Sequence, residues 1–393
     1  MIRMATTFKL SSPEASLCEV LTACDQNERI DAVQRFIKGL GDEKAFLFSH
    51  GNGVSSIVAH VLMDAYGVEN VPMHWVRDHE ENRACISRYL KELDRIAERF
   101  AGEGIKLVAL KNGGIARGIY PCLGCCPMGD VDVLIEKSCF RRAHQILLND
   151  GYRFDFRSPL EEANLDEAEK SGGSEYWKTL SDGTKLWFEL QWRAVSGRWI
   201  RPDQEPDTNE LMDRSIAIAG TNVRLLSPED NLIQVTLHTA KHSYVRAPGF
   251  RLHLDVVRIV EGQIIDWDIF VKRVMKLQVK TPVFYSLLIP KILFKTPIPE
   301  EVLEHLKPHS WKMKGISKWL HKIGLFNPNE KKFTRMGYII FNALLYDDLT
   351  GLWHGIFPDE EWMMERYGTE TDKGLVSLYL KRLMDLTFRR VNT

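Results

Sequence analysis

Two aspartates at alternate positions, Asp130 and Asp132, are the residues of this 393-residue chain whose type and spacing first suggest chemistry. In the segment GDVDVLIE they alternate with Val131 and Val133. In a strand this alternation places both carboxylates on one face and both valines on the other. Because an isolated buried charge is costly, paired carboxylates favour a cation, and Mg²⁺ held by one or two carboxylates plus substrate phosphates fits. The pattern predicts a site for Mg²⁺, with Mn²⁺ as an alternative ion, and a nucleoside triphosphate.

A glycine pair precedes the aspartates. Residues 107–110 predict a buried strand, and Gly113 and Gly114 follow it closely enough to predict a turn. Glycine lets the backbone approach phosphate oxygens closely, and the amides at a helix start are good donors to anions. A glycine turn beside the aspartates therefore suits a triphosphate.

A third acid lies on a later predicted strand. Residues 185–193, KLWFELQWR, alternate so that Glu189 shares a face with Trp187, Gln191 and Arg193. A carboxylate in the middle of such a strand can complete a metal site or take a proton from an attacking hydroxyl. The structural alternative is a glutamate at the rim of the sheet, paired with Arg193 or a lysine.

A helix after the last predicted strand carries further candidate groups. Ser227 and Pro228, followed by two acids, are typical of a helix start. The helix then places His238, Lys241 and His242 on neighbouring turns. Lys241 lies either where it reaches a triphosphate or on a semi-exposed helix face.

The cysteines give a weaker pattern. The chain has seven, an odd number that argues against a disulfide framework. Cys122, Cys125 and Cys126 resemble half of a zinc site, but the sequence offers no second Cys/His pair of matching spacing. We therefore interpret them as part of a compact loop of small residues.

Apolar periodicity predicts three regions and an α+β fold. Residues 1–103 are a helical N-terminal region, residues 104–226 an α/β core with a small mixed β-sheet, and residues 227–393 a helical C-terminal domain. Within the core, residues 158–183 are polar and acidic and predict a mobile excursion at the sheet edge. The segments flanking Gly220, Thr221 and Asn222 predict a hairpin.

Composition narrows the possible partners. With 52 Lys and Arg against 53 Asp and Glu, the net charge of −1 attracts neither duplex nucleic acid nor an anionic membrane. No apolar run reaches the length of a membrane span, and the start lacks the apolar middle of a signal peptide. We expect a cytoplasmic protein, and its oligomeric state stays open.

The order of these motifs resembles the polymerase-β-like nucleotidyltransferase superfamily. Within it, the chain is similar to an uncharacterised bacterial family found in some biosynthetic gene clusters. The resemblance rests on LVALKNGGIARGIYP, GDVDVLI, FELQWR, LHTAKH with LHLDVV, and the late FPDEEWMMERYG with YLKRLMDL, and it covers roughly residues 80–390. The chain departs from the family's pattern at Asn112, where a glycine is usual, at Gln191, where a histidine is common, and in its longer gap before Asp130.

The resemblance implies an activity and roles for particular residues. Asp130, Asp132 and Glu189 would be catalytic metal ligands or base, Lys111 and the Gly113–Gly114 turn would bind phosphate, and Lys241 would assist. The enzyme would move a nucleoside monophosphate from an NTP to a hydroxyl or phosphate of a small-molecule or peptide acceptor, releasing pyrophosphate. Two other classes stay open: a non-catalytic nucleotide-binding or scaffold protein with this fold, and a glycosyltransferase, which also uses Asp-x-Asp to hold a metal.

Overall fold

A seven-stranded mixed sheet, with helices before and after it in the chain, forms the centre of the structure. The structure is a computed structural model that describes residues 8–157, 163–195, 197, 199–368 and 374–388. Its architecture confirms the predicted α+β class. In these described ranges, no helix is long and apolar enough to cross a membrane.

In the described residues, five α-helices precede the sheet, and the first hundred residues were predicted to be helical. Ser11 and Glu14 form a capping box at the first helix, and Asp25 accepts a 2.9 Å hydrogen bond from the Glu28 amide at the second. The fifth helix buries an apolar stripe that faces the fourth helix and the sheet. The five are α1 (Ser12–Thr22), α2 (Gln26–Leu40), α3 (Asp42–Gly51), α4 (Ser55–Tyr66) and α5 (Met73–Gly102).

The strands are β1 (Leu107–Ala109), β2 (Val131–Leu134), β3 (Arg153–Phe154), β4 (Gly173–Thr179), β5 (Lys185–Gln191), β6 (Ile216–Ala217) and β7 (Val223–Leu225). They lie in the order β3-β4-β5-β2-β1-β7-β6. The pairs β2–β5 and β1–β7 are parallel, and the other neighbours are antiparallel. The central strand β2 is buried throughout its length. The strands predicted around residues 107–110, 131–135 and 185–193 are therefore present, with ends shifted by one or two residues.

The predicted glycine turn is wrong. Gly113 and Gly114 lie inside helix α6 (Lys111–Gly118), and the left-handed backbone conformation occurs two residues before Gly113, at Lys111, whose φ is 51°. A Cβ at Gly114 would lie only 3.0 Å from the carbonyl oxygen of Ala109. The missing side chain therefore serves packing, because it lets α6 lie close to the end of β1.

The interpretation of residues 158–183 as a polar excursion is also wrong for most of its length. The segment contains helix α8 (Leu165–Ser171) and strand β4, which pairs with β5 from Gly173 opposite Gln191 to Thr179 opposite Lys185. Tyr176 on β4 is fully buried. Residues 158–162 lie outside the described part of the chain.

The remaining elements follow the predicted pattern. The strands β6 and β7 form the expected hairpin, and Ser227 accepts a hydrogen bond from the Asp230 amide at the start of α10. Helices dominate the rest of the chain. The elements not yet named are α7 (Phe140–Asn149), α9 (Thr208–Arg214), α10 (Pro228–Lys241), α11 (Arg251–Gly262), α12 (Trp267–Lys276), α13 (Lys280–Phe294), α14 (Glu300–Leu306), α15 (Ser310–Ile323), α16 (Arg335–Leu345), α17 (Leu349–Ile356), α18 (Glu360–Tyr367) and α19 (Leu375–Phe388).

One apolar core connects these elements. Buried side chains from α1, the sheet and α16, among them Leu17, Val131 and Phe341, belong to a single cluster. The division of the chain at residues 103 and 226 stays a prediction.

Candidate active site

The three predicted acids meet on two neighbouring strands. Asp130 immediately precedes β2, and Asp132 lies within β2 directly beside Glu189 of the parallel strand β5. Oxygen atoms of the three carboxylates all lie within 4.8 Å of one another. Asp132 is buried, while Asp130 and Glu189 are partly accessible. The pairing of β2 with β5 therefore produces a compact carboxylate cluster that is reachable from one side.

Lys111 lies against this cluster. Its Nζ is 2.5 Å from an oxygen of Asp132 and 3.4 Å from an oxygen of Glu189. Burial opposes the charge of Lys111, but the carboxylates of Asp132, Glu189 and Asp130 outweigh it and raise the pKa of the amine. The sequence predicted Lys111 as a phosphate ligand, and the structure places its ammonium where a cation is needed between two acids.

The pKa values of Asp132 and Glu189 are shifted in opposite directions. Burial, together with the charges of Asp130 and Glu189, raises the pKa of Asp132 well above its usual range. Burial also disfavours the charged form of Glu189, but Lys111 and a hydrogen bond with Asp132 outweigh it and lower the pKa of Glu189. Carboxylates this close repel one another, and the Lys111 ammonium is the cation that lies against Asp132 and Glu189.

Gln191 supports Asp132 from the same strand as Glu189. Its Nε2 donates a 3.0 Å hydrogen bond to the same oxygen of Asp132 that Lys111 contacts. The resemblance described above places a histidine here, and the amide keeps a donor while losing a titratable group. Gln191 thus positions a carboxylate and cannot act as a general acid or base.

Arg157 is a site residue that the sequence did not suggest. Its guanidinium contacts Asp130, and its backbone N–H donates to Glu175 at 2.8 Å. Glu175 lies on β4 directly opposite Glu189 of β5. Two acids opposite each other in an antiparallel pair require a nearby cation, but this signal is readable only once β4 is recognised as a strand.

The structural alternative for Glu189 named Arg193 or a lysine as its partner; Arg193 is not the partner, but a lysine, Lys111, is. Arg193 forms its ion pair with Glu205. Glu189 instead interacts with Lys111 and faces the carboxylate cluster.

Basic groups of α10 and α11 face the cluster from the helical side. Burial, followed by the charge of Lys111, lowers the pKa of Lys241 and that of His238. Burial and Lys241 lower the pKa of His242 to about 3. Burial likewise lowers the pKa of Arg251, against the opposing charges of Asp255 and Asp130. The acids also affect the pKa values of Lys241 and Arg251, so these two basic groups lie within electrostatic range of the carboxylate cluster.

Lys241 also lines a cleft. The cleft has a volume of about 850 Å³, including its open mouth. Its wall is largely aromatic and apolar, with basic groups at Lys241, His242 and Arg246. The apolar members include Trp199, Ile200, Leu237, Tyr338, Leu345 and Tyr346. A flat, partly charged ligand would fit such a surface.

The amino-terminal end of α6 adds backbone donors to the site. Gly114 donates its amide to the Leu110 carbonyl, as the fourth residue of a helix does. The amides of Lys111, Asn112 and Gly113 come before that point, so the helix itself gives them no acceptor. A Cβ at Gly113 would lie 3.8 Å from the carbonyl oxygen of Asp132, which shows how near this end lies to the acids.

The cysteine loop is not the simple filler that its sequence suggested. Cys122 and Cys125 lie beside His60 of α4 and His79 of α5, with one ligand atom of each residue within 4.8 Å of all the others. His79 is only 3% exposed. The missing Cys/His partners therefore exist in space, although not at any recognisable sequence spacing.

The site combines carboxylates on adjacent strands of a mixed sheet with flanking lysines and a helix start. Enzymes that transfer nucleotidyl groups through metal ions have sites of this kind. Comparison with known families identifies the family. The chain belongs to an uncharacterised nucleotidyltransferase family, whose model matches residues 43–295. This region includes all the acidic and basic groups described above, whereas the late motifs around α18 and α19 lie beyond it. No curated protein matches the sequence.

Proposed function

We propose that this protein is a Mg²⁺-dependent nucleotidyltransferase of the polymerase-β-like type. It moves a nucleoside monophosphate from an NTP to a hydroxyl or phosphate of a small-molecule or peptide acceptor and releases pyrophosphate. The acceptor oxygen bonds to the α-phosphorus, the bond to the β-phosphate oxygen breaks, and a hydroxyl acceptor loses its proton. The proximity of Asp130, Asp132 and Glu189, within 4.8 Å on paired strands, is the observation that supports this most strongly.

The three carboxylates fit a hard divalent cation, because Mg²⁺ and Mn²⁺ prefer oxygen ligands. Asp130, Asp132 and Glu189 would hold the ion, and Gln191 would keep Asp132 in place. Bound there, the ion would neutralise charge on the phosphates during transfer. The catalytic contribution of the chain is then mainly positioning and electrostatic.

The surrounding donors suit a triphosphate. Lys111 lies beside the acids, Lys241 is within electrostatic range of them from α10, and the first amides of α6 have no acceptor within their own helix. Positive charge from lysines and from a helix start stabilises phosphate oxygens. The aromatic and apolar cleft beside Lys241 would hold the base or part of the acceptor.

The direct test is incubation of the full chain with each α-labelled NTP and Mg²⁺, followed by measurement of pyrophosphate release and of label on the protein or on a panel of hydroxyl and phosphate acceptors. We expect Mg²⁺-dependent release from at least one NTP. Tight NTP binding with no turnover on any acceptor would favour the non-catalytic alternative. Binding of a nucleotide-sugar in preference to every NTP would favour a glycosyltransferase, and failure to bind any NTP with Mg²⁺ would contradict the proposal.

Lys241→Met is expected to weaken NTP binding more than it slows the chemical step. A charged hydrogen bond to phosphate contributes about 1.5–3 kcal/mol, which corresponds to a rise in KM of roughly ten- to a hundredfold. Steady-state kinetics and equilibrium binding of the NTP would measure it. Lys276→Met, an exposed lysine on α12, is the control and should leave KM unchanged. An unaltered KM in Lys241→Met would place this lysine outside the nucleotide site.

A further inference from the structure

Four potential metal ligands from three separate segments converge around the loop that precedes Asp130. His60 comes from α4, His79 from α5, and Cys122 and Cys125 from the loop between α6 and β2. The Cys122 sulfur is 3.7 Å from His60 Nδ1 and 3.8 Å from His79 Nε2. His79 and Cys125 are buried, and His60 and Cys122 are half-buried. The nucleotidyl-transfer chemistry proposed above uses none of the four.

The geometry points to a structural zinc site with a Cys₂His₂ ligand set. Zinc binds sulfur at about 2.3 Å and imidazole nitrogen at about 2.0–2.1 Å, so tetrahedral ligands stand about 3.6 Å apart at a sulfur–nitrogen edge. The two sulfur–nitrogen distances here, 3.7 and 3.8 Å, are close to that value. Thiolate and imidazole ligands in a set of four also select zinc over the hard ion expected at the carboxylates.

The orientation of His79 suits metal binding. Its Nδ1 lies 2.9 Å from the Ser56 carbonyl oxygen, so that nitrogen carries the proton and donates it. Nε2 is then the unprotonated nitrogen, and it is the atom that faces Cys122. A backbone carbonyl that fixes the tautomer in this way is the usual second partner of a metal-binding histidine. His60 stacks on His79 with ring centroids 5.5 Å apart.

The loop is shaped to bring its two cysteines to these rings. The turn Leu123–Cys125 is a single 3₁₀ turn, closed by a 3.0 Å hydrogen bond from the Cys125 amide to the Cys122 carbonyl. A Cβ at Gly124 would lie 2.2–2.7 Å from three atoms of the His79 ring. Only glycine allows this approach. Asn82 of α5 also donates a 2.7 Å hydrogen bond to the Gly124 carbonyl and fixes the turn.

Zinc at this position would tie the loop to the N-terminal helices. The loop connects α6, which begins at Lys111, with Asp130 at the start of β2, and Cys125 is only five residues before Asp130. The metal would therefore cross-link α4 and α5 to the segment that sets the position of the first acid. A cross-link of this kind stabilises mainly by holding together parts of the chain that are distant in sequence. The inference does not depend on the proposed nucleotidyl transfer.

Metal analysis of the full chain tests this inference. Protein purified without an affinity tag should contain about one zinc per chain, and Co²⁺ in its place should give the absorption of a tetrahedral centre with two thiolate ligands. Titration of the zinc-loaded protein with a mercurial should release the metal to a colorimetric chelator. Two further thiols should become reactive once zinc is removed, in keeping with the two cysteines of the ligand set.

Substitutions identify the ligands. Cys122→Ser and His79→Gln should each lower zinc affinity at least tenfold, because a ligand is lost from the first coordination sphere. Cys126→Ser is the matched control, since this buried neighbour lies outside the four-residue set and should keep full zinc content. Wild-type protein that neither contains zinc nor takes it up under reducing conditions would overturn the inference. So would equal zinc loss in Cys126→Ser. The wild-type measurements decide the matter even if a ligand variant fails to fold.

Discussion

Asp132→Asn is expected to reduce nucleotidyl transfer about a thousandfold while leaving the protein folded, which corresponds to ~4 kcal/mol of transition-state stabilisation. Asp132 is the most buried of the three acids and lies between Asp130 and Glu189. Asparagine has the same shape, and its oxygen can still accept the hydrogen bond that Gln191 donates. The substitution therefore removes a negative ligand with little change in packing.

The effect of Asp132→Asn would be measured by Mg²⁺-dependent pyrophosphate release from the NTP that the protein uses, with thermal unfolding as the check on folding. Asp182→Asn is the control, because Asp182 lies in the turn between β4 and β5 and pairs with Arg88 at the surface. The control should keep its full rate. Wild-type turnover in Asp132→Asn would show that the carboxylate cluster is not the catalytic centre.

The sequence alone predicted the features that depend only on residues close together in the chain. Alternation alone placed Asp130 and Asp132 on one face, and the Ser227 cap with its following acids identified the start of α10. The partnership of Asp132 with Glu189 required more, because the register of two parallel strands depends on contacts between distant segments. In this chain the motif order of a known family supplied that information.

The sequence predictions were wrong where packing between distant segments determines the local structure. Two adjacent glycines have poor helix propensity and suggest a turn. Gly114 nevertheless lies within α6, where a Cβ would be only 3.0 Å from the Ala109 carbonyl oxygen, so its glycine serves close packing. Strand β4 was not predicted because the polar residues around it resemble a loop, although Tyr176 on this strand is fully buried. Missing β4 also hid Glu175 and, through it, the role of Arg157 beside Asp130.

The Cys/His cluster shows the same limit more clearly. Zinc patterns are recognised in sequence when each pair of ligands comes from one turn, as Cys122 and Cys125 do. His60 and His79 come from different helices, and only the packing of α4 on α5 brings their rings together. No spacing rule can detect a pair of this kind.

Lys111→Met is expected to destabilise the protein by about 3 kcal/mol without metal, because removing one partner of a buried ion pair leaves the other charges uncompensated. Lys111 is 15% exposed and contacts both Asp132 and Glu189. In the variant, Mg²⁺ no longer competes with the ammonium for these oxygens. We therefore expect Mg²⁺ to raise the free energy of unfolding more in Lys111→Met than in the wild-type protein, while nucleotidyl transfer falls because a phosphate ligand is lost.

Lys178→Met is the control that separates replacement of the Lys111 ammonium by Mg²⁺ from a general loss of positive charge. Lys178 also joins two acids, Glu92 and Asp150, at 3.2 and 3.0 Å, but away from the catalytic cluster and beside Arg95, which contacts the same pair. Its loss should destabilise the protein less, because Arg95 still compensates both acids, and Mg²⁺ should not restore the difference. Denaturant unfolding of both variants with and without Mg²⁺ measures the comparison. Equal stabilisation of both variants by Mg²⁺ would mean that the ion does not take the place of the Lys111 ammonium. A larger Mg²⁺-dependent increase in the free energy of unfolding of Lys111→Met would mean that two cations alternate at one position. The lysine would occupy it before the substrate binds, and the metal ion that arrives with the triphosphate would occupy it afterwards.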